Sequence, residues 1–534
     1  MTLVLADSIQ PFALGLIGAI LVWRLLCMTF QGPDHKEVWT RIEAVGVSGN
    51  GIFPWTRAVV GSILSIQKNA HEGYKRICKA KDRPFTLPTM WTGGAVVVLP
   101  PSLLPLLNKP DTELSGFRAL IETIQLPYMI SNRDIYENVI HFDVVRKILT
   151  KKEVIGSLAP TTAEELDIAF RECWGVSERW QTMNGWDVCG RIITRAALRT
   201  LIGEPLCRDE TFLEQSRLYA NSLFAGTAII NCLPPLVRPL LGPLLALRAK
   251  YYQARCQKVL RPYVEERIRL WNQRQERDNQ PNDFLQWMIP KCSSAHSDQL
   301  EPNKTAMRLL ALNTMFIFAM GYVFAHCIFD LYSSSPSPKA EFLHDLEEEC
   351  KRVFVKHHGL STKAAIDSLY RVDSSIRESM RLSDVGVTNL PLDVVSGKIS
   401  LGNGIQVPPG VRMVFPTQSI HLDPSNYEQP LCFDAFRFSR RFETLEVPNK
   451  QLGERELLTS PTPSFLAFGY GRHGCPGRWF VAQTIKQALA YVIMNYDVEL
   501  AGAPIKRKAL LNMMVPPTNA QIRIRRKSQK ETGL

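Results

Sequence analysis

Twelve cysteines are scattered through 534 residues, yet none forms a C-x-x-C pair. The spacing of a zinc site and the framework of a disulfide-stapled secreted domain are both missing. The chain also lacks an internal repeat and any long low-complexity segment; Ser333–Pro338 is only a short loop. Lys and Arg outnumber Asp and Glu, 63 to 51, for a net charge of +12. No aromatic-interleaved basic stripe accompanies that excess, so nothing points to nucleic acid. No Lys or Arg precedes Arg24, and no small-residue cleavage site follows the first apolar run, which argues against a cleaved secretory signal. One internal absence is sharper. Met315 to Tyr332 contains no Ser, Thr or Glu, and Asp330 is its one acid.

What is present is a large apolar complement, 45% of residues, enough for two or three domains or one large helical enzyme. Leu3–Cys27 is apolar except at Asp7, Ser8, Gln10 and Arg24; its uninterrupted core is Pro11–Trp23, and Arg24, Lys36 and Arg41 follow that core. The pattern predicts a single-pass anchor over residues 1–30, with residues 31–534 as a cytoplasmic catalytic domain; a helix lying in the membrane interface is the alternative. Helical spacing appears at 62–81, 112–126, 161–174, 187–203, 210–225 and 251–275. Strand-like runs occur near Phe85, at Gly93–Leu99 and at Val411–Phe415, with a hairpin at Gly404–Gly410. The fold class is therefore mainly α with small β-sheets. Leu233–Leu247, broken by four prolines, is either a loop over the core or a segment dipping into lipid. The basic cluster from Lys506 to Lys530 reads as a solvated end. Thr305–Tyr332 is long enough to cross a membrane, but Asn313, Thr314, Gly321 and His326 favour a helix buried in a large domain.

The chemistry concentrates in Phe468-Gly-Tyr-Gly-Arg-His-Gly-Cys-Pro-Gly-Arg478, a glycine-rich loop with one cysteine ahead of an apolar, helix-compatible run from Trp479. A thiol so placed is a candidate nucleophile, redox group or metal ligand. The order Phe468, Gly471, His473, Cys475, Gly477 resembles the heme-binding loop of cytochrome P450. The resemblance implies heme b with the Cys475 thiolate on iron, and His473 donating to a propionate. It also implies cationic propionate contacts from His141 and Arg146, and one long helix crossing the heme. Glu378 and Arg381, three apart on a helix, with Arg437 in Phe433–Phe438, resemble the family's structural ion-pair triad. Electrons would come from NADPH through a reductase, and a basic chain suits an acidic reductase. Membrane-bound members sit in the endoplasmic reticulum. The loop is similar to that of fungal enzymes oxidising terpenoids or other specialised metabolites.

Two departures from the family pattern stand out. The central helix normally carries an acid–threonine pair, or His-Thr-Thr, that orders water and delivers protons. Here Ile317–Phe324 occupies that place, with Ala319, Gly321 and Tyr322 as the residues at the catalytic position. Protons would come from a substrate hydroxyl or carboxyl, from Tyr322, or from water ordered by substrate. The alternative is a rearrangement, dehydration or multi-step oxidation. After Arg381, Ser383-Asp384 and Pro391-Leu392 stand where related enzymes have Asn-Pro and a propionate-binding arginine.

Overall fold

The β-branched run Val96-Val97-Val98 has the composition of a strand buried on both faces. It forms β2 (Gly94–Val98), antiparallel to β1 (Phe85–Thr89) and parallel to β8 (Arg412–Phe415). Two further strands, β5 (Asn389–Val394) and β3 (Leu114–Ser115), complete a five-stranded sheet in the order β1-β2-β8-β5-β3. A three-stranded sheet joins β4 (Gln181–Asn184), β12 (Gln521–Arg526) and β9 (Tyr496–Ala501). Two small hairpins pair β6 (Ile399–Ser400) with β7 (Gln406–Val407), and β10 (Ala509–Leu510) with β11 (Met513–Met514). The computed structural model describes residues 38–49, 54–91, 94–233, 235, 237–273, 280–333, 336–443, 456–502 and 505–528. The expected anchor over residues 1–30 lies outside them.

Helices make up most of the remainder. They are α1 (Pro54–Gly73), α2 (Gly116–Thr123), α3 (Ile140–Lys147), α4 (Lys152–Cys173), α5 (Gly185–Leu201), α6 (Glu210–Cys232) and α7 (Arg238–Leu245). There follow α8 (Leu247–Asn272), α9 (Phe284–Ala295), α10 (Pro302–Ser333), α11 (Pro336–His357), α12 (Tyr370–Leu382) and α13 (Arg478–Asn495). The helix expected over 112–126 is split, because Leu114 and Ser115 pair with β5 and the Ser115 hydroxyl then caps α2, accepting the Arg118 N–H at 3.0 Å. The proline-broken stretch is partly helical. Pro239 sits in the first turn of α7, where its missing N–H costs nothing.

The 32-residue α10 packs against α5, α6, α8, α12 and α13 and is buried along most of its length. An all-round apolar helix needs such surroundings, so the central-helix reading holds over the membrane one. Gly321 lets α10 approach α5 closely: a Cβ there would stand 3.6 Å from the Gly190 Cα. The basic C-terminal residues are only partly a solvated end: Lys506, Lys508 and Arg523 are exposed, whereas others are paired. Arg507 pairs with buried Asp330, Lys527 binds Glu347 at 2.6 Å, and Arg525 meets Asp497 at 2.8 Å. The correction has a simple cause, since β12 is the middle strand of its sheet and acidic residues from β9 and α11 lie beside it.

Candidate functional site

The thiol loop is built on glycine. Gly469 has φ +81°, and a Cβ there would come 2.7 Å from the His473 carbonyl oxygen, so only glycine fits. That turn lets the Cys475 N–H donate to the Phe468 carbonyl at 2.7 Å. The sulfur then faces the N–H groups of Gly477 and Arg478, at the start of α13. Burial pushes the Cys475 thiol up, while those two N–H groups and the Arg478 guanidinium pull it down. Arg478 is itself fixed. It donates to the Cys475 and Thr459 carbonyls at 2.8 and 3.1 Å and lies 3.6 Å over the Trp479 ring.

Behind the loop, the structure brings Glu378, Arg381 and Arg437 together. Arg381 and Glu378 are fully buried and form a fork of 2.7 and 2.8 Å, and Arg437 Nε donates to Glu378 at 3.0 Å. Arg381 Nη1 also donates to the His421 and Pro430 carbonyls, both at 2.7 Å. Sequence reasoning saw His421 only as part of a turn. Its ring, fully buried, accepts the Leu466 N–H through Nε2 at 2.8 Å and stacks on Phe465. Triad and thiol loop are thus one connected piece. The signal was a buried histidine beside a turn, which composition cannot distinguish from a surface one.

His473 lies on the loop with its buried Nε2 unpartnered, and its Nδ1 would be only 2.7 Å from a Cβ on Gly116. Burial holds its pKa below the ordinary value; Asp111 pulls the other way, and the charges of Arg472 and Arg146 add to the lowering. Arg146 is exposed on α3, on the side from which its charge reaches His473. His141 is different. It is buried, stacked on Phe142 at 4.6 Å, and held down to about 3 by burial and by Arg308. Burial thus favours the uncharged form of the His141 ring.

On the other side of the loop runs α10. A Cβ on Gly477 would stand 4.0 Å from the Phe316 ring, so α10 passes over the thiol loop at Phe316. One turn on is Ala319, the one exposed residue between Pro302 and Tyr332. A single open position in a buried helix marks a space facing it. Met315, one turn back on the same face, lines an apolar cavity with Phe117, Leu120, Phe224, Thr314 and His141. Neither hydroxyl near this face is free: Thr314 donates to the Leu310 carbonyl at 2.8 Å and Tyr322 to the Asp384 carbonyl at 3.2 Å. Gly321 turns toward α5. Of the three residues expected at the catalytic position, Ala319 is exposed, Gly321 lines a separate cleft against α5, and Tyr322 is buried.

These features fit a thiolate-ligated heme: a sulfur cradled by N–H donors, an unpartnered His473 nitrogen beside Arg146, and open space under Ala319. Among the described residues no cluster of His, Cys, Asp and Glu could hold a bare metal ion. Comparison with known proteins points the same way. Residues 54–524 match the family model for cytochrome P450. Cytochrome P450 monooxygenase gloP of Glarea lozoyensis is 35% identical over 511 residues, covering 92% of each chain. Cytochrome P450 monooxygenase htyF of Aspergillus rugulosus is 33% identical over 496 residues, 90% of this chain and 71% of that one. Cytochrome P450 monooxygenase okaG of Penicillium ochrochloron is 30% identical over 548 residues, 97% and 99% of the two chains. With thiol loop, triad and central helix in the order the family uses, the chain belongs to the cytochrome P450 family of monooxygenases.

Proposed function

We propose that the protein oxidises an apolar small molecule, a terpenoid or another specialised metabolite, held in the chamber between α2, α6 and α10. The observation that carries this reading is the opening of α10 at Ala319, with the apolar chamber one turn away and the Cys475 loop beneath Phe316. Cys475 would ligate heme b, with Phe468, Gly471 and Gly477 shaping the loop around it and His473 and Arg146 taking the propionates. When bound, that group supplies oxygen activation with electrons from an NADPH-dependent reductase. The chain's part is to position and to keep dry. Phe117, Leu120 and Phe224 exclude water from the substrate, and the Glu378–Arg381–Arg437 triad keeps the thiol loop rigid. Residues 1–30 would anchor the enzyme in the endoplasmic reticulum membrane with residues 31–534 in the cytoplasm. Leu240 and Leu244 on α7, 73% and 61% exposed, suit a second contact with lipid. The test is turnover of the heme-loaded enzyme under labelled dioxygen with reductase and NADPH: one labelled oxygen in the product is expected.

A second reading, rearrangement or dehydration at the same site, is favoured by one observation. Ala319 has no hydroxyl, and those of Thr314 and Tyr322 are committed to carbonyls. Neither of these hydroxyls is free to relay a proton, which leaves that role to the substrate or to water it orders. Product formation without oxygen uptake would establish this second reading in place of the first.

A further inference from the structure

We infer that the apolar chamber ends in a carboxylate-binding site formed by Arg308 and His141, so that the molecule oxidised is an apolar acid. This rests on the chamber being the substrate site.

The walls of the chamber are mostly hydrocarbon. Thr314 donates to the Leu310 carbonyl, and Tyr219 accepts from Gln253 at 2.8 Å. His141 is buried and unmet. Its ring lines the chamber, and its buried Nδ1 has no partner. Arg308 lies on α10, one turn before Ala311 and two before Met315, both of which line the chamber, and its charge acts on the His141 ring from behind that wall. Arg308 is fully buried. Its Nη2 donates to Gln299 Oε1 and is 4.0 Å from Asp134, a carboxylate that Lys304 already holds at 3.0 Å. Lys304 also binds Asp298 at 2.7 Å. The Nε and Nη1 of Arg308 are buried with no acceptor at all.

A buried guanidinium with two unmade hydrogen bonds is costly, and the cost falls when an anion takes those donors. A carboxylate matches them, because its two oxygens accept from a guanidinium in a fork. The uncharged His141 adds a third polar contact without a second full charge. A phosphate would bring more charge than one arginine balances in an apolar chamber. From Arg308 to Ala319 is eleven residues of helix, about 16 Å at 1.5 Å per residue. An acid held at Arg308 therefore offers its far end, not its carboxyl end, to the space under Ala319.

The test titrates dodecanoate and 1-dodecanol, equal in length and different only in the head group, into the heme-loaded full-length protein. Binding is read as the shift of the Soret band and, independently, by equilibrium dialysis. Dodecanoate should bind at least about tenfold tighter than dodecanol, the worth of charged hydrogen bonds. Arg308→Met should erase that preference and leave dodecanol binding unchanged. Arg308→Lys should keep part of it, and His141→Phe should reduce it about threefold. The spectrum of the reduced carbonyl complex shows that each variant is folded and loaded; if Arg308→Met fails this check, the lysine and phenylalanine variants supply the comparison. Equal binding of the two probes, or a preference that survives Arg308→Met, overturns the carboxylate site and leaves the chamber standing. Failure of both probes to bind overturns the chamber reading and the site with it.

Discussion

The His421 ring nitrogen Nε2 accepts the Leu466 N–H at 2.8 Å, while the His421 carbonyl takes Arg381 Nη1 at 2.7 Å. One residue thereby ties the buried ion pair to the first turn of the thiol loop. His421→Leu should leave the Leu466 N–H without an acceptor and cost on the order of 1–3 kcal/mol. Glu378→Ala, which strands two arginines, should cost about 3–5 kcal/mol. Thermal unfolding of the heme-loaded variants checks both, with heme loss preceding global unfolding in His421→Leu.

Cys475→Ser should remove the thiolate signature from the spectrum of the reduced carbonyl complex while far-ultraviolet circular dichroism stays unchanged, because the loop is shaped by Gly469 and the Phe468 carbonyl and not by sulfur. Gly469→Ala should do the opposite, disturbing the loop itself and lowering heme occupancy although the cysteine remains.

Ala319→Phe should fill the opening of α10. The carbonyl-complex spectrum is expected to survive and the substrate-induced Soret shift to disappear. A variant that retained the shift would place substrate elsewhere.

Acid should destabilise the fold through two histidines. His141 and His326 are buried, and burial holds each at about 3. Both values lie below the ordinary 6.5, so as pH falls the unfolded chain binds protons first and stability is lost from about 6.5 downward. Between pH 6.5 and 5 the loss is on the order of 2 kcal/mol per histidine, since one pKa unit is worth about 1.4 kcal/mol. Midpoints of thermal unfolding across that range, in wild type and in His326→Phe, measure the slope; the variant should be flatter.

Leu240, Leu244 and Leu247 form an exposed apolar face at α7 and the start of α8. Replacing all three with serine should weaken sedimentation with phospholipid vesicles for protein lacking residues 1–30, and leave the thermal midpoint nearly unchanged because none of them is in the core.

Much of this site was legible from the chain alone, and physics explains which parts. The thiol loop could be read because glycines with forced backbone angles and a cysteine ahead of a helix leave little freedom in spacing. The buried course of α10 could be read because its polar residues, Asn313 and His326 among them, suit a protein interior and not lipid. Long-range polar pairings were hidden. Arg507 looks like any basic residue near a chain end until Asp330 is found beside it. Arg308 looks like the helix's last solvated charge until it proves buried. Nothing local marks such residues, since their surroundings come from segments more than a hundred positions away or from a neighbouring turn.

The parallel pairing of β2 with β8 joins Val97 to Met413 and Val98 to Val414. Early and late portions of the chain must therefore meet before the five-stranded sheet exists, and closing so large a loop is slow. Cys475 comes later still. During synthesis the ribosome releases the cysteine proposed to hold iron only after most of the other elements have emerged, so heme held there would be captured late in the protein's maturation. Until then a nascent chain exposes the apolar faces of α10 and its partners, the interval in which a chain of this size is most open to misassembly.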